Sequence, residues 1–139
     1  MKKNITFILL IIMLSSLLSA CGSNVAQTGM WDDALYTEDT KVGEGSKTLY
    51  LDVTAEDKTI EIEVCSDKET VGDALAEHDI IAGEQSAYGL YVKTVNGMLA
   101  DYDVNQTYWS FSKDGEPMMQ GVDSTVFEDG DRYEFVCTK

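Results

Sequence analysis

The sequence from residue 47 onward predicts an α+β fold in which one helix packs on a mixed, mostly antiparallel sheet. Three observations support this prediction. Two early segments alternate apolar and polar residues, as strands with one buried face do. A segment with helical periodicity follows, and further strand-like runs separated by tight-turn pairs complete the chain.

The first two strands are predicted at residues 48–53 and 59–64, which read TLYLDV and TIEIEV. In each segment every second residue is apolar, and successive side chains of a strand point to opposite faces. Residues 55–58, Ala-Glu-Asp-Lys, join the two segments as a turn. We therefore expect a hairpin with one apolar face.

The helix is predicted to begin at Thr70. Asp73 lies three residues later, which is the spacing of a capping box. Gly83 closes the segment, so the helix is expected to be about ten residues long. Its buried stripe, at positions i, i+3, i+4 and i+7, is formed by Val71, Ala74, Leu75 and His78.

Three more strands are predicted at residues 88–95, 107–112 and 131–138. The pairs Asn96-Gly97, Asp114-Gly115 and Asp129-Gly130 lie beside them and favour the positive φ angles of tight turns. Strand, strand, helix and then three or more strands is the element order of the ubiquitin-like β-grasp. A small β-sandwich with an incidental helix is the alternative.

The N-terminus has the features of a processing signal. Lys2 and Lys3 precede a nearly apolar run from residue 5 to 18, and Leu18-Ser19-Ala20-Cys21 closes it. This arrangement resembles the lipobox of bacterial lipoproteins. The resemblance implies that residues 1–20 are removed and that Cys21 carries a diacylglyceryl group, and its amine is a further site for an acyl chain such as palmitate. The alternative is an uncleaved membrane anchor, although the run is shorter than the ~20 residues that span a bilayer.

The resemblance therefore predicts a lipid-anchored protein on the outer face of the bacterial cytoplasmic membrane. The full chain has a formal net charge of −15, and removing residues 1–20, with two lysines and no acidic residue, leaves −17. Nucleic-acid binding is excluded, because it depends on Lys and Arg neutralising phosphates. This charge also repels anionic headgroups, so the lipid on Cys21 has to supply the membrane contact.

Residues 21–46 are interpreted as the lipidated Cys21 and a tether, and residues 47–139 as the domain. The tether is rich in Gly, Ser, Thr and acidic residues, and 43–46, Gly-Glu-Gly-Ser, breaks the chain before the first strand. Apolar residues are unusual in a linker, and we expect those of this tether to pack on the domain: Trp31, Ala34, Leu35 and Tyr36. A docking segment for a partner is the competing interpretation.

Cys65 and Cys137 are predicted to be free thiols. Cys65 continues the polar face of its strand, whereas Cys137 shares a face with Tyr133 and Phe135. In a β-grasp the two strands also run in opposite directions, which separates their C-terminal ends beyond the ~7 Å that a disulfide allows between Cα atoms. We expect Cys137 to be buried and Cys65 to be the more exposed of the two.

Catalytic and metal-binding patterns are weak, so the sequence predicts neither an enzyme nor a metal site. His78 is the sole histidine, and no Ser or Cys has a recognisable base near it in sequence. Asp32-Asp33 and the Asp-Gly-Asp at 129–131 offer oxygen ligands. Neither has the spaced ligand set of a Ca²⁺ loop, and turn chemistry explains the second.

Residues 107–135, TYWSFSKDGEPMMQGVDSTVFEDGDRYEF, together with 89–97, GLYVKTVNG, resemble the C-terminal β-domain of the cobalamin carriers transcobalamin, haptocorrin and intrinsic factor. Bacterial lipoproteins carry a similar transcobalamin-like module. The specific parts are the Tyr-Trp pair, the Gly-Glu-Pro turn with an apolar residue after it, Gln120-Gly121 and the late Asp-Gly. The similarity covers roughly residues 47–139.

The resemblance implies two stretches that contact a corrinoid. By motif they contain Tyr88, Gly89, Leu90, Tyr91, Val92, Tyr108, Trp109, Ser110, Phe111, Ser112, Gly115, Pro117, Met118 and Met119. An aromatic shelf with a few polar groups suits the apolar edges and amide arms of a corrin, and methionines add adaptable contact surface. No residue is placed to ligate cobalt. The helical domain of the carriers has no counterpart here, so their affinity does not carry over.

Two functional hypotheses follow. The first is a lipid-anchored ligand-binding module, requiring no cofactor, with cobalamin or a related corrinoid as ligand and a membrane transporter as recipient. The second is a protein-interaction or cell-surface structural domain that uses exposed aromatic residues and the sheet edge. Trp109 and Phe111 share one strand face, so they are either core residues or ligand contacts. If they are core residues, the predicted ligand contacts are Tyr108, the hairpin tip and Met118-Met119.

Overall fold

The computed structural model describes residues 29–139, which form two β-sheets and two short α-helices. The larger sheet contains β1 (Thr40–Val42), β2 (Lys47–Ala55), β3 (Lys58–Ser66), β7 (Tyr108–Lys113), β8 (Glu116–Pro117) and β9 (Arg132–Thr138), and the smaller one β4 (Ile81–Ser86), β5 (Gly89–Val95) and β6 (Met98–Leu99). The helices are α1 (Val71–Ala76) and α2 (Tyr102–Asn105). The predicted α+β class is confirmed. The predicted signal peptide and Cys21 lie outside the described residues.

The larger sheet has the strand order β1-β3-β2-β9-β7-β8. β2 and β3 form the predicted hairpin, with continuous antiparallel pairing from Lys47↔Ser66 to Ala55↔Lys58. β2 is parallel to β9, and β9 is antiparallel to β7. The first and last long strands are therefore neighbours at the centre of a mixed sheet.

The hydrophobic core lies on one face of this sheet. The alternating residues of the three central strands are at most 2% exposed: Leu49, Leu51, Val53, Ile60, Ile62, Val64, Tyr133 and Phe135. Val71, Ala74 and Leu75 of α1 belong to the same buried cluster. Each fully buried aliphatic or aromatic side chain of this kind contributes about 1.5–3 kcal/mol, so the period-2 pattern of the sequence accounts for the position of the core.

Helix α1 begins as predicted but is shorter. The Thr70 hydroxyl oxygen accepts a hydrogen bond from the Asp73 N–H at 3.2 Å, which caps the helix. The helix has six residues, because Asp79 adopts a left-handed φ of 56° and the Ile80 N–H turns back to the Leu75 carbonyl at 3.0 Å. The turn buries Ile80 completely. His78 therefore lies beyond the helix, and the expected length of about ten residues is wrong.

Strand β4 is absent from the sequence prediction, which ended the helical segment at Gly83. Gly83 instead lies inside β4, where the register with β5 shifts between Ala82 and Gly83. Only Ile81 of this strand is buried, so no apolar alternation marks it. The two following turns are as predicted: Asn96-Gly97 and Asp114-Gly115 have φ angles of 51°, 80°, 50° and 83°.

The N-terminal segment packs on the domain, which confirms the expectation for its aromatic residues. Trp31, Ala34 and Tyr36 are partly buried against the core, whereas Leu35 is 51% exposed. The Trp31 indole N–H donates to the Ala55 carbonyl at 2.9 Å, and β1 adds a parallel edge strand to β3. Residues 29–46 of the predicted tether therefore contribute to the fold.

The two cysteines are unbridged, and β2 lies between the strands that carry them. The predicted order of exposure is wrong, because Cys65 is 8% exposed and Cys137 is only partly buried. The loop at 43–45 explains this result. A Cβ on Gly43 would collide with the Cys65 carbonyl, and one on Gly45 would lie 2.5 Å from the Ser66 Cα, so two glycines let the loop cover Cys65.

Within residues 29–139, neither helix is long and apolar enough to cross a membrane.

Candidate functional site

A cavity of about 280 Å³ opens where β5, β7 and the loop after β8 meet. It is lined by Leu90, Tyr91, Val92, Trp109, Phe111, Met118, Met119, Gln120, Gly121, Val122 and Phe135. These residues come from four separate parts of the sequence, and the packing of β5 on β7 brings them together. Most of these residues are of apolar or aromatic type, as in the usual small-molecule site, and the surface they expose to the cavity includes polar backbone and side-chain atoms.

Aromatic rings form one wall of the cavity. The Phe111 and Phe135 rings stack at 5.0 Å between centroids, and Trp109 meets Phe135 edge to face at 6.4 Å. Trp109 is 7% exposed, and Phe111 is partly buried. Both residues therefore pack on the core and line the cavity at the same time, because a cavity wall is one surface of the core.

The rim of the cavity carries exposed side chains from the β4–β5 hairpin and the loop after β8. Tyr91 is 45% exposed, and Met119 is 97% exposed. Tyr88, at the hairpin tip, is 95% exposed. The Ser86 hydroxyl shapes this tip, because it accepts from the Tyr88 N–H and donates to the Gly89 carbonyl. Large apolar side chains left in water are informative when they cluster around a cavity.

Three hydrogen bonds hold the walls together. Asp123 Oδ2 accepts from the Leu90 N–H at 3.0 Å and joins β5 to the loop. The Met118 N–H donates to the Phe111 carbonyl at 3.0 Å, and the Thr125 hydroxyl donates to the Gly121 carbonyl at 2.8 Å. The cavity therefore has walls fixed by backbone contacts rather than by side-chain packing alone.

Two polar atoms near the cavity have no hydrogen-bond partner among the described residues. They are Nε1 of Trp109, a donor, and Oδ1 of Asp123, an acceptor. Both atoms are shielded from solvent. Buried polar groups are nearly always paired, so an unpaired donor and an unpaired acceptor need an explanation.

No free cation lines the cavity within residues 29–139. The nearest lysine on β5 is Lys93, whose ammonium lies 5.9 Å from the centre of the Tyr91 ring. Its Nζ is 3.0 Å from Asp101 and 3.1 Å from Glu84. Hydrogen bonds to Asp101 and then Glu84 raise the pKa of Lys93. Among the described residues that line the cavity, no positively charged side chain is therefore present to pair with an anionic ligand.

The structure brings seven of the fourteen predicted contact residues to the cavity: Leu90, Tyr91, Val92, Trp109, Phe111, Met118 and Met119. Tyr88 and Gly89 lie at the hairpin tip beside it. Tyr108, Ser110 and Ser112 lie on the opposite face of β7, where Ser110 donates to the Val136 carbonyl and Ser112 to Glu134. Gly115 and Pro117, in the β7–β8 turn region, do not line it.

Four lining residues are missing from the predicted set: Gln120, Gly121, Val122 and Phe135. A signal for two of them was present, because Gln120-Gly121 belongs to the stretch that resembles the carriers. Phe135 is recognisable from strand alternation only as a core residue. Nothing in its sequence position indicates that one edge of its ring borders a cavity.

The described part of the chain has no set of side chains arranged as metal ligands. Residues 29–139 contain no group of three or more His, Cys, Asp or Glu side chains placed to hold a metal ion. Acidic residues on the outer face of the larger sheet are instead paired. Arg132 contacts Asp52 at 2.8 Å and Glu61 at 2.7 Å.

The comparisons with known proteins add a fold relationship. A structure from Ruminococcus gnavus ATCC 29149, described as a "putative metal binding protein", matches with a TM-score of 0.63 and 28% identity, over 68% of this chain and 98% of that one. Haptocorrin in complex with Cbi matches with a TM-score of 0.56 and 22% identity, over 70% of this chain. This chain spans 26% of haptocorrin, so the likeness shows a shared fold for that part alone.

No functionally curated protein shows significant sequence similarity to the chain. One family model matches residues 68–139, more than half of the 139 residues, and this region holds β4, β5, β7 and every residue that lines the cavity. The chain therefore belongs to the family described as a domain of unknown function (DUF4430).

Proposed function

We propose that the protein is a ligand-binding module anchored outside the cytoplasmic membrane, with cobalamin or a related corrinoid as its ligand. One observation carries the proposal. The two stretches that the resemblance implies as corrinoid contacts, within 88–92 and 108–119, both contribute lining residues to one cavity. A core-only role for them would not require an open cavity with exposed aromatic and thioether groups at its rim.

The size of the cavity limits how much ligand it holds. Its volume of about 280 Å³ is just below the ~300–1,000 Å³ of typical ligand pockets. A corrinoid is larger than this, so only an edge or one side arm would enter, and the remainder would lie over Tyr88, Tyr91 and Met119. Contact would be with the periphery of the ligand, and cobalt would receive no ligand from the described residues.

We favour a corrinoid over a bare metal ion, on the fold shared with haptocorrin and on the side chains that residues 29–139 present. Haptocorrin, which was crystallised with the corrinoid Cbi, shares the fold of this domain. The description of the R. gnavus protein raises metal binding, but residues 29–139 have no metal-ligand cluster. We also propose the ubiquitin-like β-grasp as the fold type, supported by the parallel pairing of β2 and β9 beside the β2–β3 hairpin.

The location of the protein is part of the same proposal. Residues 1–20 act as a signal peptide, Cys21 carries the lipid, and the module passes its ligand to a membrane transporter without catalysing a reaction. Cys21→Ala tests the anchor. We expect the variant to leave the membrane fraction and to lose incorporation of labelled palmitate. A variant that stays membrane-bound would contradict lipidation at Cys21.

Titration with cyanocobalamin and hydroxocobalamin tests the ligand. We expect quenching of Trp109 fluorescence and a shift in corrin absorbance as the full-length chain in detergent micelles is saturated. Trp31→Phe leaves Trp109 as the sole tryptophan, since the sequence has two, and isolates its signal. No change in either spectrum at about 100 µM ligand, an affinity weaker than about −5.5 kcal/mol, would contradict corrinoid binding.

A protein partner is the second candidate function, favoured by the 95% and 97% exposure of Tyr88 and Met119. Exposed aromatic and Met side chains around an apolar centre are also typical of interaction sites. Tyr88→Ala and Met119→Ala, separately and together, distinguish the two roles. Weakened cobalamin binding supports a ligand site, and loss of a co-purifying surface protein with unchanged cobalamin binding supports a partner site.

A further inference from the structure

One residue that lines the cavity carries an unpaired donor, and a residue bonded to the cavity wall carries an unpaired acceptor. Trp109 lines the cavity, is 7% exposed, and its Nε1–H has no partner within residues 29–139. The other indole in this part of the chain, that of Trp31, donates to the Ala55 carbonyl at 2.9 Å. The fold therefore pairs the partly buried indole N–H of Trp31 and leaves that of Trp109, a cavity-lining residue, unpaired.

Asp123 supplies the unpaired acceptor. Its Oδ2 accepts from the Leu90 N–H at 3.0 Å, whereas Oδ1 has no partner and is shielded from water. Oδ1 lies 2.6 Å from the position a Cβ would take on Gly89, at the hairpin tip, and 3.2 Å from that on Gly121, which lines the cavity as Leu90 does. The acceptor thus belongs to the carboxylate that joins β5 to the loop, next in sequence to the lining residue Val122.

We propose that the cavity recognises a primary carboxamide, whose oxygen accepts from Trp109 Nε1–H and whose N–H donates to Asp123 Oδ1. This inference rests on the proposed ligand-binding function and names the chemical group that the site selects. A primary amide carries an acceptor and a donor on one planar, uncharged group. A ligand group that pairs a shielded polar atom gains more binding free energy than one that pairs an atom at an open surface. The reason is that a shielded polar atom without a partner is costly.

A carboxylate is expected to bind more weakly than a primary amide at the same site. It has no proton to give to Asp123 Oδ1, and its charge meets an acidic side chain in a chain of formal charge −15. Lys93, the cation nearest along β5, is already paired with Asp101 and Glu84. A dialkylated amide keeps the oxygen acceptor but has no N–H. Amide, carboxylate and dialkylamide forms of one apolar ring therefore separate the two contacts.

Access requires a small movement at the rim. Both unpaired atoms are shielded in the structure, and the side chains of Met118 and Met119 border the cavity. Methionine side chains are unbranched and rearrange readily. We expect them to rotate aside when the amide enters, without a change in the strands.

The test uses the full-length ¹⁵N-labelled chain in detergent micelles, with benzamide, benzoate and N,N-dimethylbenzamide as probes. The indole N–H resonance of Trp109 reports the contact, and that of Trp31 is the internal control because its partner is the Ala55 carbonyl. We expect benzamide to shift the Trp109 resonance alone. Benzoate should bind on the order of tenfold more weakly, and dimethylbenzamide should fall between them.

Two variants assign the contacts. Trp109→Phe keeps an aromatic ring without the donor or the indole reporter, so its binding is followed by the backbone amide resonance of Leu90. It should abolish the preference for benzamide, whereas Trp31→Phe should not change it. Asp123→Asn can still accept from the Leu90 N–H, which turns its NH₂ group to the position of Oδ1 and should shift the preference toward benzoate. An Asp123→Asn variant that still prefers benzamide would overturn the role of Asp123.

The outcomes also separate this inference from the corrinoid proposal. A Trp109 shift with benzamide and no response to cyanocobalamin supports carboxamide recognition and contradicts the corrinoid. Cyanocobalamin binding with an unmoved Trp109 resonance contradicts carboxamide recognition alone. No response to benzamide, or equal binding of benzamide and benzoate, overturns the inference.

Discussion

The β2–β3 and β4–β5 hairpins are both antiparallel strand pairs, but they differ in how much of their surface is buried. β2 and β3 are paired without interruption over nine residues each, and their inner side chains are almost fully buried. β4 and β5 contain a register shift, and only Ile81 of β4 is buried. The first hairpin lies in the centre of the larger sheet, whereas the second projects Tyr88 into solvent.

In this small domain the first hairpin carries most of the buried apolar surface, and the second carries exposed side chains beside the proposed binding cavity. Burial of the β2–β3 face supplies the hydrophobic free energy, so the β4–β5 hairpin is free to keep apolar residues at its surface. Two connections still tie the second hairpin to the body, one through Asn96 and one through Asp123. The predictions below test this separation, beginning with the largest expected effect.

Leu51→Ala should cause the largest loss of stability. Leu51 is 0% exposed and faces Ile62 across the hairpin, so truncation leaves a cavity that costs about 2–5 kcal/mol. Tyr88→Ala in the second hairpin is the matched control and should change the free energy of unfolding by less than about 0.5 kcal/mol. Urea denaturation measures both. Similar losses in the two variants would mean that the hairpins are not separated in this way.

Asn96→Gly should have the next largest effect. The Asn96 side chain accepts from the Tyr36 N–H at 3.0 Å and donates to the Tyr36 carbonyl at 2.8 Å, while its left-handed φ of 51° suits glycine. The variant therefore removes the two bonds without backbone strain, and the loss should be about 1–3 kcal/mol. Asp114→Gly, at the equivalent turn position with φ 50° and an exposed side chain, should be nearly neutral by the same denaturation measurement.

Asp123→Ala should loosen the second hairpin while the body stays intact. It removes the acceptor of the Leu90 N–H, at a cost of about 1 kcal/mol. Hydrogen exchange of the Leu90 amide should become faster. The Met118 amide, which donates to the Phe111 carbonyl, is the control and should be unchanged. If both amides exchange faster, Asp123 supports the whole cavity wall rather than one contact.

Acid should weaken the body through Asp131. Burial opposes ionisation of this carboxyl, but hydrogen bonds from Lys113, the Glu128 N–H and the Tyr133 hydroxyl outweigh it and lower its pKa. A carboxyl whose pKa is lowered by folding contributes stability that is fully present above its unfolded pKa of about 4. This contribution is lost as the pH falls through the folded-state pKa. Asp131→Asn should flatten this part of the pH dependence of stability, and an unchanged slope would assign it to other carboxylates.

Tyr88→Ala should have the smallest effect on stability and a measurable one on binding. Its ring is 95% exposed and contributes little to the folded state. We expect an unchanged melting temperature and weaker binding of cyanocobalamin. A lower melting temperature would show that the hairpin tip contributes to the folded body.

Local patterns in the sequence were sufficient for most elements. The alternation of Leu49, Leu51 and Val53 located β2, and Asn96-Gly97 located the turn after β5, because both signals depend on neighbouring residues alone. Strand β4 was missed because its exposed residues leave no periodic pattern. The helix was overestimated because burial of Ile80, a tertiary contact, bends the chain after Ala76.

Only part of the candidate site could be predicted, because the sequence shows local patterns but not contacts between distant residues. Similarity to the cobalamin carriers identified Leu90 and Trp109 as members of one site, and strand alternation left open whether Trp109 is core or contact. Packing gives it both roles, because Trp109 belongs to the buried core cluster and also lines the cavity. The position of Asp123 beside Leu90 had no signal, because the two residues are 33 positions apart.

Propensity and period along the chain were enough to predict the strands of the first hairpin and their apolar face, the helix cap and the tight turns, because these features depend on residues close in sequence. The tertiary structure alone decided the strand order, the cover over Cys65 and the meeting of β5, β7 and the loop around a cavity. Such contacts join distant residues, and their free energy exists only when the whole core has formed.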